Sequence, residues 1–348
     1  RDAGLHPPRT FDIWTFKSRS ANRYYAHMLS REMLHDTTRF AGIVHLVNTL
    51  FAGWEKHAAD SQQLDRDIHN LLEHQQPHLR VRYREELRGM NQLSRWGIDP
   101  DAPIVCLMVR DGSFLPMLPY HEFRDCDVDT YTEAALELAE RGYHVFRMGA
   151  KVAKPFKAKH ARIYDYATNG MRSEFMDVYL AHKCRFVIST STGWDAIPQV
   201  FRKPICYTNF PQFEYLPTWQ PTSLAIWKHM ERDGKRLSVA EIIESKAGQF
   251  MRADEFATAG IKLIDNTPQE ITDAVLEMVE WIEGRWRPLE QTAFWEAFPR
   301  NVSAYNAKPL HGRMRMRIGS QFLWGYDVQG KEDSGSDPSA RRIEARTA

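Results

Sequence analysis

From Ile104 onward the chain alternates short, continuous apolar runs with stretches of helical periodicity, a pattern that predicts strands and helices in turn. The apolar runs are Ile104 to Val109, Tyr143 to Met148, Arg162 to Tyr164, Arg185 to Ser189, Pro204 to Thr208, Leu224 to Trp227 and Ile261 to Ile264. The clearest of them are β-branched and do not alternate with polar residues, as befits strands buried on both faces of a parallel sheet. Two intervening helices carry start and stop signals. Thr130 and Glu133 fit a capping box before Ala134 to Ala139, with Gly142 as the stop. Thr267, Pro268 and Glu270 fit a second, which leads Ile271, Val275, Met278 and Ile282 to Gly284. A further helix is predicted over Arg172 to Leu180, with Phe175, Met176, Tyr179 and Leu180 apolar and Asp177 solvated or anchoring a loop.

Before residue 99 the pattern differs. A strand, Phe11 to Phe16, precedes mostly helical sequence, with periodicity over Ala41 to Trp54 and over Arg84 to Trp96, where Leu87, Met90 and Leu93 recur three apart. The expected class is α/β: a Rossmann-like parallel sheet over residues 99–285, preceded by a smaller, mostly helical or truncated domain over 1–98. Residues 286–327 are aromatic without a clean period and are read as packing back, and 328–348 as a disordered tail.

Composition narrows the chemistry. The 348 residues suffice for two domains, and 43% hydrophobic with 26% charged residues is a globular balance. Lysine and arginine total 46 against 45 acidic residues, so no net field draws in nucleic acid or an anionic membrane, and any anion site must be local. Cys106, Cys126, Cys184 and Cys206 have no CxxC spacing and read as free thiols in a reducing compartment. Ala41 to Trp54 is too short and polar to span a bilayer, which predicts a soluble, cytoplasmic protein with no transmembrane segment. The chain begins with arginine and has no signal-peptide pattern, which leaves open whether the amino terminus is complete or has lost a first strand and its glycine loop.

The candidate chemistry concentrates after the strands. Arg185 to Asn209 reads as strand, small-residue loop, helix and strand. Ser189-Thr190-Ser191-Thr192-Gly193 lets backbone amides approach an anion, with the next helix aiming its amino terminus at the same place and Asp195 as its cap; an ordinary crossover without a ligand fits the same pattern. Arg110 follows the Ile104 strand, where its guanidinium can fork two phosphate oxygens or bridge to another loop. Arg147 ends the next strand and needs a partner; Asp165 is one candidate, and can equally accept hydrogen bonds from a base or sugar. Asp125 and Asp127 form a DxD that reads either as a metal site or as acids before a helix, and His121 and Glu122 are candidate general bases.

With these residues in view the chain resembles a family of bacterial glycosyltransferases linked to cell-surface polysaccharide. The resemblance runs through Val105 to Asp111, His121 to Asp125, Gly142 to Gly149, Asp165-Tyr166-Ala167, Arg172 to Leu180 and Ser189 to Asn209, and spans about residues 11 to 325. More distantly, the arginine after a strand and the later serine/threonine-glycine loop are similar to fucosyltransferases and heptosyltransferases of the two-Rossmann, GT-B type. The resemblance implies a nucleotide-sugar donor held by residues 99–285 and a glycan acceptor entering from 1–98, with no cofactor, no metal and no nucleic acid. Arg110 would neutralise the diphosphate, Ser191, Thr192 and Gly193 would bind it beside Arg147 and Ser189, and Asp165 and Asn209 would frame the donor. Localisation would be cytoplasmic, at most peripheral at the inner membrane. The rival readings are a metal-dependent transferase using Asp125 and Asp127, and a non-catalytic glycan-binding or assembly module displaying Trp219, Trp286 and Trp295.

Overall fold

A computed structural model of the chain describes residues 13–15, 20–36, 40–54, 67, 70–212, 215, 216, 222–285 and 316–326. The first elements are β1 (Ile13–Thr15), α1 (Arg23–Leu29), β2 (Leu34–Asp36), α2 (Phe40–Asn48), α3 (Leu71–His74) and α4 (Tyr83–Arg95). Next come β3 (Ile104–Met108), α5 (Thr132–Glu140), β4 (His144–Arg147), β5 (Ile163–Tyr164), α6 (Glu174–Lys183), β6 (Phe186–Ser189), α7 (Ala196–Val200), β7 (Ile205–Phe210) and β8 (Leu224–Trp227). The last are β9 (His229–Arg232), β10 (Lys235–Arg236), α8 (Val239–Glu244), α9 (Ala253–Thr258), β11 (Lys262–Ile264), α10 (Pro268–Ile282), β12 (Arg317–Ile318) and α11 (Ser320–Trp324).

Seven strands form one sheet in the order β12-β8-β7-β6-β3-β4-β5, and every neighbouring pair is parallel. The fold class is therefore α/β with a Rossmann-like parallel sheet. All residues of β3, β6, β7 and β8 are buried, which is why β3, β6 and β8 run almost wholly apolar without alternation. The order has a consequence for function. The chain moves outward from β3 through β4 to β5, then returns to lay β6 on the other side of β3 and continues outward again. The two loops that leave the carboxyl ends of β3 and β6 thus diverge and leave a crevice, the position at which open parallel sheets admit ligands.

Ile261 to Ile264 does not join this sheet. Gly260, with φ of 66°, turns the chain back, and β11 pairs antiparallel with β9 in a three-stranded sheet that β10 completes. The box at Thr267 and Glu270 caps α10 as its spacing implies, with Pro268 at the first turn. The box at Thr130 and Glu133 does not form. Asp127 caps a 3-10 turn over Val128–Tyr131 by accepting from the Asp129 amide, and Thr130 donates to the Asp127 carbonyl, so α5 starts without a side-chain cap.

The amino-terminal helices pack against α6. Asn22 caps α1 through Oδ1 and reaches Glu174 O with Nδ2 at 3.0 Å, while Tyr24 meets Phe175 edge-on with ring centres 5.0 Å apart. Arg31 forks onto Glu85 of α4 at 3.1 and 2.5 Å. Burial raises the Glu85 pKa, but Arg31, the Arg82 amide and Tyr24 outweigh it and hold the carboxyl down to about 2. Of the predicted strand Phe11 to Phe16, Ile13–Thr15 pairs parallel with β2, and its remaining residues lie outside the described set. At the other end β12 adds a strand beside β8 and α11 packs on α10. Residues 286–315 and the tail from 327, with Trp219, Trp286 and Trp295, lie outside the described residues. Cys106, Cys184 and Cys206 are buried and, like Cys126, free of disulfides. Among the described residues no helix is long and apolar enough to cross a membrane.

Candidate functional site

One side chain and two amides stitch the diverging loops together. The Arg110 amide donates to Thr190 Oγ1 at 2.8 Å, and the Thr190 amide donates to Met108 O at 3.2 Å. The loop after β6 is organised from beneath by one carboxylate. Asp195, buried, accepts from Ser189 Oγ at 2.8 and 2.9 Å, from the Thr192 amide at 2.9 Å and from Thr192 Oγ1 at 3.3 Å. Thr192, not Asp195, is the amino-terminal cap, and Asp195 closes its capping box from the third position. Burial pushes the Asp195 carboxyl up to about 6 despite these donors and nearby Arg124. Behind this loop stand only a three-residue 3-10 turn and the five-residue α7, so the helix dipole expected there is short. Gly193 faces open space, and its amide and that of Trp194 stand in the first turn, where a helix leaves N–H groups without intrahelical acceptors.

The positive charge in the crevice comes from side chains. A 3-10 turn over Pro119–Arg124 folds back across the opening and carries Arg124, whose Nη2 donates to Ser191 O at 2.5 Å. Ser191 has φ of 65°, which turns its carbonyl toward that guanidinium. Arg110 stands 3.1 Å from Asp125 Oδ1 through Nε, and Lys228 Nζ, almost fully buried, donates to Asp125 O and pairs with Asp265, both at 2.8 Å. Burial lowers the Arg124 pKa and raises that of Asp125; Arg110 reinforces the first shift and opposes the second. His121 is on the same turn, its ring 4.2 Å from that of Tyr120. Burial, then Arg124, Arg110 and Arg252, lower its pKa, so the imidazole is neutral at pH 7. Arg124 Nε and His121 Nδ1 are buried without a hydrogen-bond partner, and Arg110 Nε and Asp125 Oδ1, buried beside them, have only their ion pair with each other. Buried polar atoms left so in one place mark a site that its own residues do not fully satisfy.

Several residues singled out from sequence face elsewhere. Arg147 is 1% exposed and is held by Asp165 at 3.2 Å and by Asp111 at 3.9 Å. Asp165 also accepts from the Phe156 amide at 3.0 Å and from Thr168 Oγ1, so the pair clamps the loops behind β4 and β5. Ser189 is fully buried and spends its hydroxyl on Asp195 and on the Ser191 amide. Asn209, also fully buried, exchanges two 2.6 Å hydrogen bonds with Asn266 and donates to Tyr131 at 3.1 Å. Each of these four sits near the crevice and bonds to other residues of its walls. Glu122 is exposed on the outer side of its turn. Asp127 is held by Lys154 at 2.5 Å while Asp125 faces Arg110, so the two acids of the DxD serve different cations. Among the described residues no three His, Cys, Asp or Glu side chains gather as a metal site.

Sequence reasoning misses Arg124 and Lys228. Lys228 carries the same signal as Arg110, a basic residue directly after a buried strand, and Arg124 lies inside a motif that draws attention for its acids.

No family model matches the chain, and no curated protein matches it. Among solved structures, a glycosyl transferase family 9 protein from Veillonella parvula DSM 2008 aligns with a TM-score of 0.32 and 14% identity over 43% of this chain and 42% of its own. The ADP-heptose LPS heptosyltransferase II of E. coli aligns with a TM-score of 0.38 and 15% identity over 60% of this chain and 55% of its own. The chain thus spans about half the length of each.

Proposed function

We propose that the protein is a GT-B-type glycosyltransferase that moves a sugar from a nucleoside diphosphate donor to a bacterial surface glycan, with Arg110 and Arg124 receiving the diphosphate. The observation that carries this reading is the pair of unpartnered buried nitrogens, Arg124 Nε and His121 Nδ1, beside the Arg110–Asp125 ion pair at the point where the strand order reverses. Two guanidinium groups a loop apart suit a diphosphate, because each can hold a pair of oxygens in a fork and neither needs to transfer a proton. Asp125 occupies Arg110 in the free protein. A donor phosphate would take its place, and the raised pKa of Asp125 eases its release.

The chemistry follows from charge. As the bond between the sugar's anomeric carbon and the diphosphate oxygen breaks, its electron pair goes to the diphosphate, where the arginines and the amides of Gly193 and Trp194 stabilise it. The acceptor hydroxyl oxygen forms the new bond to the anomeric carbon and yields its proton to the neutral imidazole of His121. The fixed cations supply the countercharge, so the reading calls for no metal, and Asp127 is already committed to Lys154.

The test is thermal stabilisation of the protein by a panel of nucleoside diphosphates and nucleotide sugars, with and without chelator. The expected result is a rise in Tm with one base, insensitive to chelator and lost in Arg110→Ala. No shift with any member of the panel, in folded protein, would overturn the reading.

A further inference from the structure

Helix α2 is amphipathic in the wrong sense for its position. Wound at 100° per residue, it gathers Ile43, Val44, Leu46 and Val47 on one side and the small or polar Ala41, Gly42, His45 and Asn48 on the other. The half-buried residues are Ala41, Gly42, Asn48 and Thr49. The large apolar side chains point to solvent: Ile43 is 60% exposed, Val44 48%, Leu46 68% and Val47 50%, and the turn that continues the helix adds Leu50 at 80% and Phe51 at 65%. That turn is still wound helically, since the Thr49, Leu50 and Phe51 amides donate back to His45, Val47 and Asn48 carbonyls at 3.0–3.1 Å.

Six side chains exposed to this degree present on the order of 700 Å² of apolar surface, more than the ~300–600 Å² of the largest patch on an ordinary monomer. It approaches the ~800 Å² that each partner brings to a standard interface. No Asp, Glu, Lys or Arg occurs from Phe40 to Trp54, the depletion of charge found at interface cores. Ile43, Val47 and Leu50 are spaced four and three apart, the seam spacing of one helix packed along another. A lipid-surface helix would set lysines and arginines on the face opposite its apolar one. Here the opposite face carries no lysine or arginine, and Ala41, Gly42, Asn48 and Thr49 on it are half-buried.

We infer that this face is a self-association surface on which two copies of the chain pair their α2 helices about a two-fold axis. An isologous contact needs one self-complementary patch, and it closes after two copies instead of growing into a filament. The surface is independent of the crevice and of the chemistry proposed there.

The experiment is analytical ultracentrifugation of the wild-type chain over a concentration series, beside Leu46→Glu and Leu50→Glu. The wild type should be a dimer that dissociates on dilution, and each glutamate should weaken it about 30-fold or more, the effect of losing one interface hot spot. Met117→Glu, at an apolar residue 77% exposed elsewhere, should leave the dimer intact. As a second readout that needs no buried charge, Val47→Cys should oxidise to a covalent dimer and Met117→Cys should not. A wild type that stays monomeric, a dimer unaffected by both glutamates, or a monomer that sediments with phosphatidylcholine and phosphatidylglycerol vesicles would overturn the inference.

Discussion

The Arg124 guanidinium donates to the Ser191 carbonyl at 2.5 Å and so ties the turn after β3 to the loop after β6 across the crevice between them. Its Nε remains buried and unpaired, and Arg110 lies close enough to lower its pKa. Arg124 therefore has two duties, shaping the β6 loop and meeting negative charge. Arg124→Ala should cut kcat/KM for sugar transfer by about 10²-fold or more, the loss typical of one donor to developing charge. Arg124→Lys should recover only part of that, because an ammonium cannot hold the Ser191 carbonyl and a phosphate in one plane. Steady-state kinetics with folding checked by circular dichroism decides it, and near-normal turnover of Arg124→Ala would remove the residue from the site.

Asp195 links the same loop to pH. Its carboxyl titrates at about 6 in the folded chain, above the ordinary Asp value of 3.8, because burial disfavours the charge. Between those values the native state holds a proton that the unfolded chain has lost, so this group's contribution to stability falls as pH rises from about 4 to about 6 and levels off above. The variant Asp195→Asn has no such titration. The stability of wild type minus variant should therefore be greater at pH 5 than at pH 7, by about 1 kcal/mol. Urea denaturation of both proteins at the two pH values measures it; a difference of the opposite sign would show that the carboxyl is not desolvated.

Much of the sheet was legible because β3, β6 and β8 are buried on both faces, and burial leaves a continuous, largely apolar run. Leu224 to Trp227 is a strand with the boundaries its sequence implies, and α10 starts at the box its sequence spells. What stayed hidden depends on partners distant in sequence. β11 is a strand whose residues do not say which sheet they join, and its antiparallel partner β9 begins just after β8 ends. Crevice residues could be ranked only by type. Arg110 and Arg147 both belong to the carboxyl ends of buried strands, yet one pairs with Asp125 in the crevice and the other is locked between Asp111 and Asp165, carboxylates from two different loops. The resemblance alone points to Asn209 as a donor contact; in the fold Asn266, brought alongside by the start of α10, takes up its amide and its side-chain oxygen.

Arg147 and Arg110 should consequently fail in different ways. Removing a buried cation leaves two carboxylates without their partner, and breaking such pairs costs about 3–5 kcal/mol. Arg147→Met should lower the unfolding free energy by that order, and Arg147→Met with Asp165→Asn should lose less than the single change because fewer charges are stranded. Arg110→Ala, by contrast, should change stability little. Equilibrium unfolding of the three variants separates the clamp from the site, and an Arg147→Met protein as stable as wild type would refute the clamp.

The contact of α4 with α6 turns on a glycine whose reason is space. Gly89 lies mid-helix, where alanine would ordinarily stabilise by about 0.5–1 kcal/mol. A Cβ placed there would stand 2.2–2.3 Å from three atoms of the Tyr179 ring. That ring cannot step aside: it is buried, stacks on Phe175 with centres 5.8 Å apart, and donates its hydroxyl to Glu86 at 3.0 Å. Overpacking therefore wins over helix propensity, and Gly89→Ala should destabilise by about 1–3 kcal/mol. In a Tyr179→Ala background the clash disappears, so the same glycine change should become neutral or stabilising there. A double-mutant cycle measured by urea unfolding reads the coupling directly. Equal losses in both backgrounds would mean that α4 and α6 do not meet at this point.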